Sequence, residues 1–91
     1  MSSAPVSDEG TVPKDVDLLA EFGRRVRKAR GAAGISQEEL GHRCGLHRTY
    51  ISSLERGERN VGLLNILTVA TVLEVEPAEL LAGLVRLPRL E

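Results

Sequence analysis

The chain is nearly without aromatic side chains: it has no tryptophan, one phenylalanine (Phe22) and one tyrosine (Tyr50) in 91 residues. Aliphatic residues must build the core, which suits a small all-helical bundle. The single cysteine, Cys44, rules out an intramolecular disulfide. At an apolar helix position it reads as a buried free thiol in a reducing compartment. No apolar run reaches the roughly 18–20 residues of a membrane span, and the first ten residues hold no apolar stretch fit for a secretory leader. A cytoplasmic location is therefore expected, with no membrane partner. There is no G-x-S-x-G, no P-loop and no evident carboxylate pair. His42 and His47 flank Cys44 at a spacing and in a number that suit zinc poorly. No enzyme, metal, cofactor or small-molecule ligand is expected.

The formal net charge is −1, but the charge is unevenly distributed. Residues 1–21 carry one base against five acids, and residues 61–91 two bases against four acids. Between them, residues 22–60 carry nine bases against four acids, a net of +5. A basic centre between acidic flanks is a local footprint for phosphates, to which the overall charge is a poor guide. A chain of this length forms one modest domain, a size often stabilised by oligomerisation. Residues 1–14, rich in Ser, Pro, Gly and acid, read as a disordered tail. Residues 15–86 read as the folded domain and residues 87–91, which include Pro88, as a short C-terminal tail.

Five helices are predicted, giving an all-α fold. Leu19, Phe22, Val26, Ala29 and Ala33 form one apolar stripe on a first helix from Asp15 to about Ala32. Its acids crowd the N-terminal end and its bases the C-terminal end, in keeping with the macrodipole. Ser36 and Glu39 form a capping box, with Ile35 and Leu40 as a hydrophobic staple, for a second helix from Gln37 to about Cys44. A third helix runs from about Arg48 to Arg56, with His47 near its cap and Gly57 past its end. A fourth, roughly Gly62–Leu73, is apolar on nearly every side, so one face must pack on the bundle and another on a partner subunit. A fifth begins with Pro77 at N1 and runs through Leu80, Leu81 and Leu84 toward Val85.

The stretch Ser36–Gly57 is the most informative. Gly41 sits where the second and third helices would approach, and Gly45 where the chain must reverse with positive φ. Leu40, Cys44, Leu46, Ile51 and Leu54 supply the apolar contacts. The outer face of the third helix, Arg48, Thr49, Ser52, Ser53 and Arg56, is polar and free of carboxylates. Such a face suits the major groove of DNA better than a catalytic site.

Ser36–Leu73 resembles the Cro/phage-repressor type (Xre-like) of helix-turn-helix domain found across bacterial regulators. The segment L-H-R-T-Y-I-S-S-L-E-R-G-E-R-N, Leu46–Asn60, looks especially like the small controller proteins of restriction–modification systems. The resemblance covers roughly Leu19–Leu84 and implies a compact five-helix lambda-repressor-like domain. It implies that Gln37, the first residue of helix two, binds phosphate, that Arg48, Thr49, Ser52 and Ser53 read bases, and that Arg56, Arg59 and Asn60 contact phosphates. It pairs Arg30 with Glu55 as a structural ion pair and places dimerisation on the helices after the loop. In controller proteins, occupancy of one site activates and of a second represses the protein's own operon.

The residue chemistry agrees. Arg48 can donate two hydrogen bonds to guanine O6 and N7. Thr49 offers a hydroxyl and a methyl to a phosphate or a thymine methyl. Ser52 and Ser53 are small enough for close approach to bases. Tyr50 divides between core packing and a phosphate contact through its hydroxyl. Gln37 can hold a phosphate by side chain and by backbone N–H at a helix N-terminus. Leu63, Leu64, Leu67, Leu80 and Leu84 are the expected dimer surface. The expected function is a dimeric, sequence-specific transcriptional regulator on a pseudo-palindromic operator, with double-stranded DNA and a second copy as partners. The competing reading is a protein-interaction adaptor or antitoxin on the same fold.

Overall fold

The structure is a computed structural model that describes residues 13–88, so most of the 1–14 tail and residues 89–91 of the C-terminal tail lie outside the described residues. Five helices follow in chain order: α1 (Asp15–Ala33), α2 (Gln37–Cys44), α3 (Arg48–Glu55), α4 (Leu63–Leu73) and α5 (Pro77–Leu81). Among the described residues there is no strand, and no helix is long and apolar enough to cross a membrane.

Helix ends follow local chemistry. The Asp17 carboxylate accepts from the Lys14 N–H ahead of α1. Ser36 Oγ accepts from the Glu39 N–H at 3.0 Å and starts α2. The reciprocal half of the expected capping box is missing, because Glu39 turns instead to Arg43 Nε at 2.6 Å, one helical turn on. Gly45, at φ 72°, ends α2 in the left-handed region as expected. The last helix is shorter than predicted. It stops at Leu81, and Gly83 at φ 79° turns the chain so that Leu84 N–H returns to the Leu81 carbonyl. Leu84 packs against the core from outside the helix.

The core is aliphatic around one ring: Phe22, Val26, Leu40, Ile51, Leu54, Val69, Ala70, Leu73 and Leu80 are buried. Helix α3 lies against both α1 and α2, while α4 lies against α1, α2 and α5. Two glycines allow these approaches. A Cβ on Gly41 would meet the Leu46 carbonyl oxygen at 2.6 Å, the crossing expected from the sequence. A Cβ on Gly23 would meet the carbonyl oxygens of Leu54 and Glu55 at 2.5 Å, so α1 runs directly over the end of α3.

Helix α4 has two apolar faces. Val69, Ala70 and Leu73 point inward, whereas Leu63 is 64% exposed, Leu64 76% and Leu67 39%. Leu80 corrects the expected dimer surface: it is 2% exposed and is a core residue of its own subunit. Leu84, half-buried against the same core, adds little to an external face.

Candidate nucleic-acid interface

The N-terminal end of α3 is open and polar: His47, Arg48 and Thr49 are all exposed. His47 is the N-cap, and its Nδ1 accepts from the Thr49 N–H at 3.1 Å. The cap starts the helix without a carboxylate. Arg48 and Thr49 are exposed on the first turn. Among the described residues Arg48 has no hydrogen-bond or ion-pair partner, so its guanidinium retains all its donors. Ser52, one turn further on, is half-buried and accepts from Arg56 Nη1.

Ser53 departs from its expected place. It is 7% exposed, its Oγ donates to the Tyr50 carbonyl at 3.0 Å, and it accepts from Arg59 Nε at 3.0 Å. The backbone of the loop also returns here, with Glu58 N–H donating to the Ser53 carbonyl at 2.9 Å. Ser53 therefore anchors the loop after α3 and presents no hydroxyl for reading bases. Arg59 lies 5.6 Å from the centre of the Tyr50 ring, in cation–π range. Tyr50 Oη accepts from Asn65 Nδ2 at 3.2 Å, which leaves the phenol proton available to an outside acceptor. Of the two roles left open by the sequence, the structure shows the packing one: the Tyr50 ring lies against the core, and its hydroxyl is held by Asn65 of α4. Asn65 was not anticipated; its signal was a lone amide within an otherwise leucine-rich helix.

Glu55 organises the other side of α3. Arg30 donates to it through Nε at 2.7 Å and Nη2 at 3.0 Å. Gln37 Nε2 adds a third bond at 3.0 Å, so that side chain is engaged within the subunit. The third arm of Arg30 reaches the Ile35 carbonyl at 3.0 Å. The Glu55 side chain is only 3% exposed, yet its carboxylate is fully paired. The hydrogen bonds that Arg30 donates to Glu55 raise its basicity more than its partial burial lowers it.

Arg56 and Arg59 are exposed at the end of α3. Arg56 is bound to Glu58 by two bonds of 3.0 and 3.1 Å, which hold the Glu58 carboxyl below its ordinary value. Asn60 lies further away, beside Leu18, Leu19 and Arg86 on the α1 side of the molecule. Cys44 is half-buried, and desolvation pushes its thiol up, away from reactivity. Among the described residues no three side chains of His, Cys, Asp or Glu group as a metal site.

Arg48, Thr49 and Ser52 follow one another along α3 from its open end, with Arg56 and Arg59 beyond its last turn, while Gln37 at the start of α2 meets Glu55 at the far end of α3. A helix-turn-helix family model matches residues 26–80, which contain all of these. Over 61 residues the chain is 51% identical to the control protein C.BamHI of Bacillus amyloliquefaciens, covering 66% of this chain and 75% of that one. It is 45% identical over 66 residues to the control protein C.SmaI of Serratia marcescens, covering 72% and 79%. In three dimensions it is similar to the restriction-modification controller protein C.AhdI from Aeromonas hydrophila, with a TM-score of 0.67 and 53% identity over 68% of this chain and 94% of the other.

Proposed function

The chain belongs to the helix-turn-helix family that includes the restriction-modification control proteins, and we propose that it regulates transcription as a dimer bound to a pseudo-palindromic operator. The observation that carries this reading is the separation of two surfaces. The unpaired Arg48 and exposed Thr49 open the first turn of α3, while exposed Leu63, Leu64 and Leu67 stand on α4, a different element.

In this reading α3 enters the major groove by its N-terminal end. Arg48 and Thr49 meet base edges there, with Ser52 one turn behind. The α2 N-terminus, Tyr50, Arg56 and Arg59 meet phosphates. Arg56 exchanges its exposed bond to Glu58 for a phosphate at little cost, since solvent screens such surface pairs. Two subunits joined through α4 place two copies of α3 in successive grooves, about 34 Å apart. Binding and dimerisation are then linked, so occupancy depends on protein concentration. The similarity to control proteins extends the reading to the control of a restriction–modification operon from the cytoplasm.

Selection of binding sites from random duplex DNA, with sedimentation of the free protein, tests the proposal. The expected result is a dimer in solution and a site of two inverted half-sites centred roughly 10 base pairs, or a multiple of that, apart. An adaptor or antitoxin would sediment alone as a monomer and show no salt-dependent DNA binding.

A further inference from the structure

We propose that His47 fixes the direction of the Thr49 hydroxyl, and so makes Thr49 a reader of base amino groups. The inference rests on the reading that α3 enters the major groove. Two contacts carry it. The Thr49 N–H lies 3.1 Å from His47 Nδ1. A backbone N–H can only donate, so Nδ1 holds a lone pair and the imidazole proton is on Nε2. Thr49 Oγ1 lies 2.8 Å from the same Nδ1. Two lone pairs would repel at that distance, so the hydroxyl proton also points at Nδ1.

The single proton of the Thr49 hydroxyl is thereby turned back into the protein. Toward solvent the side chain offers two oxygen lone pairs and a methyl group. In the major groove the amino groups of adenine and cytosine donate, whereas guanine O6 and N7 and thymine O4 accept. Thr49 in this state pairs with adenine or cytosine on the contacted strand and rejects guanine or thymine, whose oxygens would face its own. An unconstrained threonine hydroxyl rotates and accepts either class. His47 is thus a positioning residue for specificity: it caps the helix, holds the Thr49 hydroxyl and acts on DNA through Thr49.

The test is binding-site selection with the wild-type protein and with Thr49→Val, His47→Ala and His47→Asn. Thr49→Val removes the hydroxyl at constant shape and marks the base pair that it reads. At that position the wild type should favour adenine over guanine, or cytosine over thymine, by roughly fivefold or more. His47→Ala should reduce this ratio to about twofold or less, since the hydroxyl can then turn outward. His47→Asn, with an acceptor oxygen in the capping position, should restore most of it. A purely structural cap would lower affinity for all sequences and leave the ratio unchanged in His47→Ala, which would overturn the proposal. So would a wild-type preference for guanine or thymine at the marked position, or a Thr49→Val variant that alters no position. If the wild type selects no sequence at all, the DNA-binding reading itself fails, and this inference with it. Circular dichroism of each variant confirms that the comparison is between folded proteins.

Discussion

Arg30 and Glu55 meet in a two-point ion pair, 2.7 and 3.0 Å, that joins the end of α1 to the end of α3. The pair is deep on the carboxylate side, where the side chain is 3% exposed, and shallower on the guanidinium side, at 15%. Three donors, two from Arg30 and one from Gln37, satisfy the Glu55 oxygens. Through Gln37 the same carboxylate also holds the start of α2, so one buried acid ties α1, α2 and α3 together.

Removing one partner leaves a buried charge. Arg30→Ala is expected to lower stability by about 3–5 kcal/mol in urea unfolding. Replacing both residues by apolar ones of similar volume should cost much less, because no charge is then stranded. Additive losses in that double-mutant cycle would contradict the assignment.

Ser53→Ala separates anchoring from base reading. Loss of the hydroxyl frees Arg59 and is expected to cost about 0.5–1.5 kcal/mol of stability. Affinity for DNA should fall to a similar extent on every sequence as the loop after α3 loosens. A change of base preference at one operator position would instead restore Ser53 as a reader.

The difference between this outcome and the sequence reading has a physical cause. Helical spacing places Ser53 on the outer face of α3, but the chain beyond Gly57 folds back and covers it through Glu58 and Arg59. Such a return is a tertiary event with no local signal. Leu80 is similar: its position on α5 was legible, but which side of α5 meets the core depends on packing between elements. The helix starts at Gln37 and Pro77 were legible because Ser36 and Pro77 act within one turn. Gly41 was legible because the chain it approaches, at Leu46 and Arg48, follows within a few residues. Gly23 was not, because the backbone that requires it belongs to α3, some thirty residues away.

Leu64 of α4 and Leu80 of α5 give a contrast between two substitutions. Leu64 is 76% exposed in the single subunit, so Leu64→Asp should keep the fold and abolish the dimer in sedimentation. Leu80 is 2% exposed, and Leu80→Asp should unfold the protein. A folded, fully dimeric Leu64→Asp variant would remove α4 from the interface.

The most direct measurement compares wild type with Arg48→Ala on a selected duplex and on a scrambled duplex of equal length across a salt series. The central claim is that Arg48 reads a base from the open end of α3. It requires affinity for the selected site to fall by about 1–3 kcal/mol more than affinity for the scrambled one, with the salt dependence little changed. Equal losses on the two duplexes, with a shallower salt dependence, would make Arg48 a phosphate contact and contradict the account.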